Sequence, residues 1–112
     1  PPPKTNIVIG LLASLSGGWV APEITSAAKV AVDSINNDTT LLSTVELQLL
    51  IEDAACDKEK GTLAALHFFQ AGAHMLIGPA CGSVCESVGV LSKLQQMPQI
   101  SRDTDFVFLP CI

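Results

Sequence analysis

Aromatic residues are scarce in this chain: its 112 positions hold one Trp, four Phe and no Tyr. Any core it builds is therefore aliphatic. Charge is also sparse, at 15% of residues against 48% hydrophobic. A chain this apolar buries enough surface to offset the entropy of ordering, which excludes intrinsic disorder. The six Lys and Arg are scattered and the net charge is −5. Nucleic acid is excluded as a partner, because its phosphates demand clustered basic residues. No apolar run reaches the roughly 18 residues of a membrane-spanning helix, so no membrane contact is expected of this segment itself. Pro1-Pro2-Pro3-Lys4 lacks the apolar stretch of a signal peptide, so a secreted form is expected to have lost its signal already.

Motifs for common enzyme chemistry are missing too. There is no Gly, four residues, then Gly-Lys-Ser/Thr for a phosphate loop, and no Gly-x-Gly-x-x-Gly follows the first apolar run. His67 and His74 lack an obvious Ser or Cys partner, and are expected in core or surface roles. Glu52 and Asp53 are neighbours on a strand and point to opposite faces, which prevents joint acid–base work. The four cysteines, Cys56, Cys81, Cys85 and Cys111, fit no zinc framework: Cys81 and Cys85 have no second Cys or His pair at ligand spacing. Cys85 is expected to be a small buried hydrophobe within a helix. No catalytic residue, metal or cofactor is expected, and the chain is not expected to be an enzyme. The even cysteine count and the glycosylation acceptor Asn37 in Asn37-Asp38-Thr39 tilt towards an oxidising compartment.

What is present is regular alternation of strand and helix. Ile7-Val8-Ile9-Gly10-Leu11-Leu12 is a continuous apolar run typical of a strand buried on both faces. A turn follows over Ser14 to Ala21. Pro22 then suits the first turn of a helix, whose apolar face would be Ile24, Ala27, Ala28, Ala31, Val32 and Ile35, ending at Asn36-Asn37-Asp38. Val45 to Ile51 forms a second strand, ending at Glu52-Asp53. A second helix spans 58–71, capped by Asp57, with Leu63, Leu66 and Phe69 inward. His74 to Ile77 is a third strand, a helix capped by Ser83 runs to Lys93, and Met97 to Ile100 is a fourth strand.

Consecutive βαβ units imply an open parallel α/β sheet, β-α-β-α-β-α-β, with strand order 2-1-3-4. The first helix falls on one face and the other two on the opposite one. Because parallel sheets need both faces covered, the thinly covered face marks the chain as incomplete as a domain. Ligands of such sheets bind beyond the carboxyl ends of the strands, where strand order reverses. Two loops fall there, Ser14 to Trp19 and Gly78 to Ser83. Each places Gly, Ser and backbone amides near a helix N-terminus, which favours a carboxylate or phosphate. Trp19 would add an aromatic wall. The alternative is that both loops are tight turns, with Trp19 a partial core plug.

Three segments carry a family resemblance: Ser16-Gly17-Gly18-Trp19, Asp53-Ala54-Ala55-Cys56-Asp57 and Gly78-Pro79-Ala80-Cys81-Gly82-Ser83-Val84. Together they resemble metabotropic GABA (type B) receptor ectodomains. Natriuretic-peptide receptors with guanylate cyclase activity share the second and third. Both belong to the type 1 periplasmic-binding-protein-like superfamily, also called the ANF-receptor ligand-binding family, whose two lobes close on a ligand. The resemblance covers about residues 6–101, the N-terminal part of lobe 1.

The resemblance implies a disulfide between Cys56 and Cys81, which would stabilise the fold by roughly 3.5 kcal/mol in the chain-entropy model. It implies that Ser83 hydrogen-bonds a ligand carboxylate and that Trp19 lines the same pocket. Gly82, Ser16 and Gly18 complete the ligand-binding set. In the natriuretic branch the backbone at Ala80 and Cys81 would instead match part of a chloride site. The GABA branch follows its fourth strand with a Tyr-Gly-Ser-type segment. Here Ser101 is followed by Arg102-Asp103-Thr104-Asp105-Phe106, so that ligand serine is lacking and residues 102–112 read as a divergent tail after a ligand-binding region over 5–101.

Three functions follow. The first is a segment of a class C G-protein-coupled receptor at the extracellular face of the plasma membrane, binding a small amino-acid-like ligand, with a receptor dimer partner. The second is the ectodomain of a natriuretic-peptide-receptor-like guanylate cyclase. The third is a small cytosolic α/β regulator, which would keep its thiols free.

Overall fold

The computed structural model describes residues 3–18, 20–102 and 108–109. Four strands and three helices alternate: β1 (Thr5–Ala13), α1 (Pro22–Asn37), β2 (Val45–Asp53), α2 (Lys58–Gln70), β3 (Met75–Ile77), α3 (Gly82–Leu94) and β4 (Gln99–Arg102), followed by β5 (Phe108–Leu109). The sheet order is β2-β1-β3-β4-β5. β1 pairs in parallel with β2 from Thr5↔Val45 to Ala13↔Asp53, and with β3 from Ile9↔Met75 to Leu11↔Ile77. β3 and β4 are also parallel. The 2-1-3-4 order expected from the βαβ alternation is therefore observed. β5 adds an antiparallel strand at the β4 edge, through Ser101↔Leu109 and Arg102↔Phe108, where the sequence pattern ends the sheet at β4.

The two sheet faces are covered unequally. α2 and α3 pack on each other and, with the even positions of β1, enclose a cluster of Leu12, Ala54, Ala64, Ala65, Phe68, Ala73, Leu76, Val84 and Val88. α1 packs on β1 and β2 and has no buried residue. The thin face expected from the sequence is thus the α1 face.

Gly10 explains how close α2 comes: a Cβ there would lie 2.7 Å from the Phe68 ring. Gly61 likewise leaves room for Val84. These contacts correct the expected inward placement of Leu63 and Leu66, while Phe69, partly buried, packs against the core as expected. Leu63 and Leu66 are 53% and 41% exposed, while Gly61, Ala64, Ala65 and Phe68 are the buried stripe. Small residues let the helix seat near the sheet with one large ring inserted, and the two leucines rotate outward.

Helix ends follow local chemistry. α1 starts at Pro22, whose missing N–H costs nothing there. The Asp57 side chain accepts from Glu59 N at 3.1 Å and caps α2. α3 differs from expectation. Its cap is Cys81, with no side-chain cap bond, and Ser83 stands inside the first turn.

Candidate functional site

The carboxyl ends of β1, β2 and β3 lie side by side, and three loops leave them. The β1–α1 loop closes through Ala21 N donating to Ser14 O at 2.8 Å. The loop after β2 is tied to β1 by Ala54 N donating to Ala13 O, also at 2.8 Å. In the loop after β3, Gly78 has φ +90°, and a Cβ there would lie 2.6 Å from Leu12 O. Only glycine suits that backbone and that approach. The Gly78 carbonyl accepts from Nε2 of the buried Gln99 at 2.8 Å, and its amide donates to Ile100 O at the same distance.

Two ties join the loops. The first is the disulfide Cys56–Cys81, with Cα atoms 5.5 Å apart, linking the β2–α2 loop to the residue before α3. This is the pairing the family resemblance implied. The second is Asp53. Its Oδ1 accepts from Leu15 N at 2.9 Å and Ala55 N at 2.8 Å, and its Oδ2 accepts from the Ser16 hydroxyl at 2.5 Å. Burial alone would push this carboxyl up. The Ser16 hydroxyl and the amides of Leu15, Ala55 and Ser16 outweigh it, so the group sits below its ordinary 3.8.

These ties decide where the expected ligand residues stand. Gly82 and Ser83 are exposed in the first turn of α3, and the space where a Cβ of Gly82 would sit is open. Amides of a first helical turn have no carbonyl partner within their own helix, and the helix dipole adds partial positive charge. Gly18 is likewise exposed and faces open space. Ser16 is exposed too, but its proton is committed to Asp53, so towards a ligand it offers an acceptor oxygen. Trp19 lies outside the described residues. The sequence pattern marks Asp53 as the end of the second strand and the first residue of the Asp53-Ala54-Ala55-Cys56-Asp57 motif, but gives it no role in the site. The signal that could have found it is its place at the end of the strand beside β1.

The remaining polar candidates take structural places. His67 pairs with Glu52 across α2 and β2, Nδ1 to Oε1 at 2.8 Å, with the His67 side chain exposed and Glu52 half-buried. His74 Nδ1 accepts from Val8 N at 2.9 Å, extending the β1–β3 ladder by one bond. Cys85 requires a correction. It is disulfide-bonded and half-buried rather than a plain core hydrophobe. The cause is its direction: Sγ points to β4, 3.0 Å from the Ser101 hydroxyl, not into the α2–α3 core. Asn37 is exposed at the end of α1.

The family model described as the receptor family ligand binding region (ANF receptor) matches residues 23–106. The chain belongs to this family. Among relatives, it is 33% identical over 75 residues to glutamate receptor 3.7 of Arabidopsis thaliana. It is 29% identical to glutamate receptor 3.1 of Oryza sativa subsp. japonica and 25% to glutamate receptor 3.4 of Arabidopsis thaliana, over the same length. Each match covers 67% of this chain but 8% of the relative.

Among solved structures, the branched-chain amino acid transporter substrate binding protein LivJ of Streptococcus pneumoniae, in complex with isoleucine, superposes with a TM-score of 0.79. The identity is 20%, and the match spans 88% of this chain and 29% of LivJ. The type 1 periplasmic-binding-protein-like half-lobe is therefore the fold of this member of the ANF receptor family.

Proposed function

We propose that this chain forms part of the ligand-receiving lobe of an extracellular receptor, and that it holds the α-carboxylate of a small amino-acid-type ligand without chemical conversion. The observation carrying this is the exposed first turn of α3. Gly82 and Ser83 stand open there, held by Cys56–Cys81 beside the loop that Asp53 fastens to β2. Backbone amides at a helix start, with an adjacent hydroxyl, suit a carboxylate. The relatives' names, glutamate receptors, and the isoleucine bound to LivJ both support an α-amino acid.

For the finer assignment, Ser16-Gly17-Gly18-Trp19 supports a GABA (type B)-like metabotropic receptor. The glutamate-receptor names of the relatives favour a glutamate-type ligand as a second reading. An extracellular location also makes Asn37 a glycosylation site. A mass loss on enzymatic deglycosylation, absent in Asn37→Gln, tests this after secretory expression.

One lobe cannot close over a ligand, and strong binding normally buries 70–90% of its surface, so affinity should be on the order of millimolar. Isotope-edited NMR of the chain, titrated with L-glutamate, L-isoleucine and GABA, tests the proposal. Shifts centred on Gly82 and Ser83 with at least one probe are expected. Shifts absent there for all three would overturn it.

A further inference from the structure

We infer that Asp53 is the positioning residue of this pocket: its carboxylate sets the conformation in which the β1–α1 loop is presented to a ligand. This rests on the binding function proposed above and deepens it. Asp53 ends β2 directly beside Ala13, the last residue of β1. From that place one carboxylate holds the chain on both sides of the strand pair. It takes Leu15 and Ser16 in the loop after β1, and Ala55 in the loop after its own strand.

Backbone conformation shows what the carboxylate restrains. Ala55 and Cys56 both occupy the left-handed region, at φ 54° and 51°, which non-glycine residues adopt only when surroundings enforce it. Gly17, at φ +93°, lies so close over the Ala55 carbonyl that no Cβ fits between them. The two loops are therefore stacked backbone on backbone, and Asp53 supplies the hydrogen bonds that hold both. Cys56 follows at once and carries the tie to Cys81 at the start of α3. Loop one, loop two and the first turn of α3 thus form one mechanical unit.

The chemistry calls for an aspartate in particular. All three partners donate, and an ionised carboxylate accepts on both oxygens. In Asp53→Asn, the oxygen can still serve Leu15 and Ala55, but the amide nitrogen cannot accept from Ser16. Asp53→Ala removes every bond, and Ser16→Ala removes only the hydroxyl bond.

The test is amide hydrogen exchange, read by NMR on the full chain and its three variants, with L-glutamate and L-isoleucine as probes. In Asp53→Ala, exchange at Leu15 and Ala55 is expected to rise about tenfold or more, while Leu76 in the central sheet keeps its rate. Asp53→Asn should restore slow exchange at those two amides. Ser16→Ala and Asp53→Asn each remove one hydrogen bond and should lower the thermal midpoint only slightly, yet both should weaken probe binding at temperatures where the chain stays fully folded, which a purely structural role would not produce. If Asp53→Ala does not fold, these two variants decide: unchanged probe affinity in both overturns the inference. Unchanged exchange at Leu15 and Ala55 in a folded Asp53→Ala overturns it as well. If neither probe binds the native chain while Asp53→Ala still frees Leu15, the binding function fails and the hold of Asp53 on the loop stands.

Discussion

The Asn36 side chain completes the outer edge of the sheet at Leu47: its Nδ2 donates to Leu47 O and its Oδ1 accepts from Leu47 N, each at 2.8 Å. β2 is the terminal strand on that side, and an unpaired strand edge invites association with other chains. One amide side chain from the end of α1 thus imitates a neighbouring strand for one residue. Asn36→Ala should cost about 1–2 kcal/mol, two net hydrogen bonds, read as a lower urea midpoint. Exchange at the Leu47 amide should accelerate first.

The Cys56–Cys81 bridge closes a separation of 25 residues. In the chain-entropy model its loss costs roughly 3.5 kcal/mol. A Cys56→Ser, Cys81→Ser double variant is expected to lose most of that in denaturant unfolding. Probe-induced shifts at Gly82 and Ser83 should weaken with it, because Cys81 is the residue on which α3 begins.

Acid should loosen the site before the sheet. The Asp53 carboxyl lies below its ordinary 3.8 in the folded chain, so the folded state binds its proton less readily than the unfolded state. Its stabilising contribution is complete above that ordinary value and is lost as pH falls through the lower folded value. Leu15 and Ala55 amide resonances should therefore move in that acid range in the native chain. Asp53→Asn should lack this step.

Much of the fold is legible in the sequence because buried parallel strands and amphipathic helices leave strong local patterns. Ile7 to Leu12 and Val45 to Ile51 announce β1 and β2, and the βαβ alternation yields the sheet order. The orientation of α2 is less legible. Leu63 and Leu66 carry more apolar surface than Ala64 and Ala65, yet close approach of helix to sheet selects the small stripe. Ser83 has the chemistry of a helix cap, but the helix starts at Gly82 with the disulfide-bonded Cys81 at the cap position, which puts Ser83 inside the first turn. The Asp53 bonds join residues 37 and 38 positions apart through a single carboxylate, and no local periodicity records such a contact. Cys85 is similarly opaque, since helical spacing does not record that its sulfur faces Ser101 on β4.

The central claim is that the first turn of α3 receives a ligand carboxylate. It is tested most directly by NMR titration of the native chain and Ser83→Ala with L-glutamate and L-isoleucine. The expected result is perturbation of Gly82 and Ser83 in the native chain, with affinity lowered about tenfold in Ser83→Ala, the loss of one charge-assisted hydrogen bond. Equal affinity of the two proteins for both amino acids would contradict the claim.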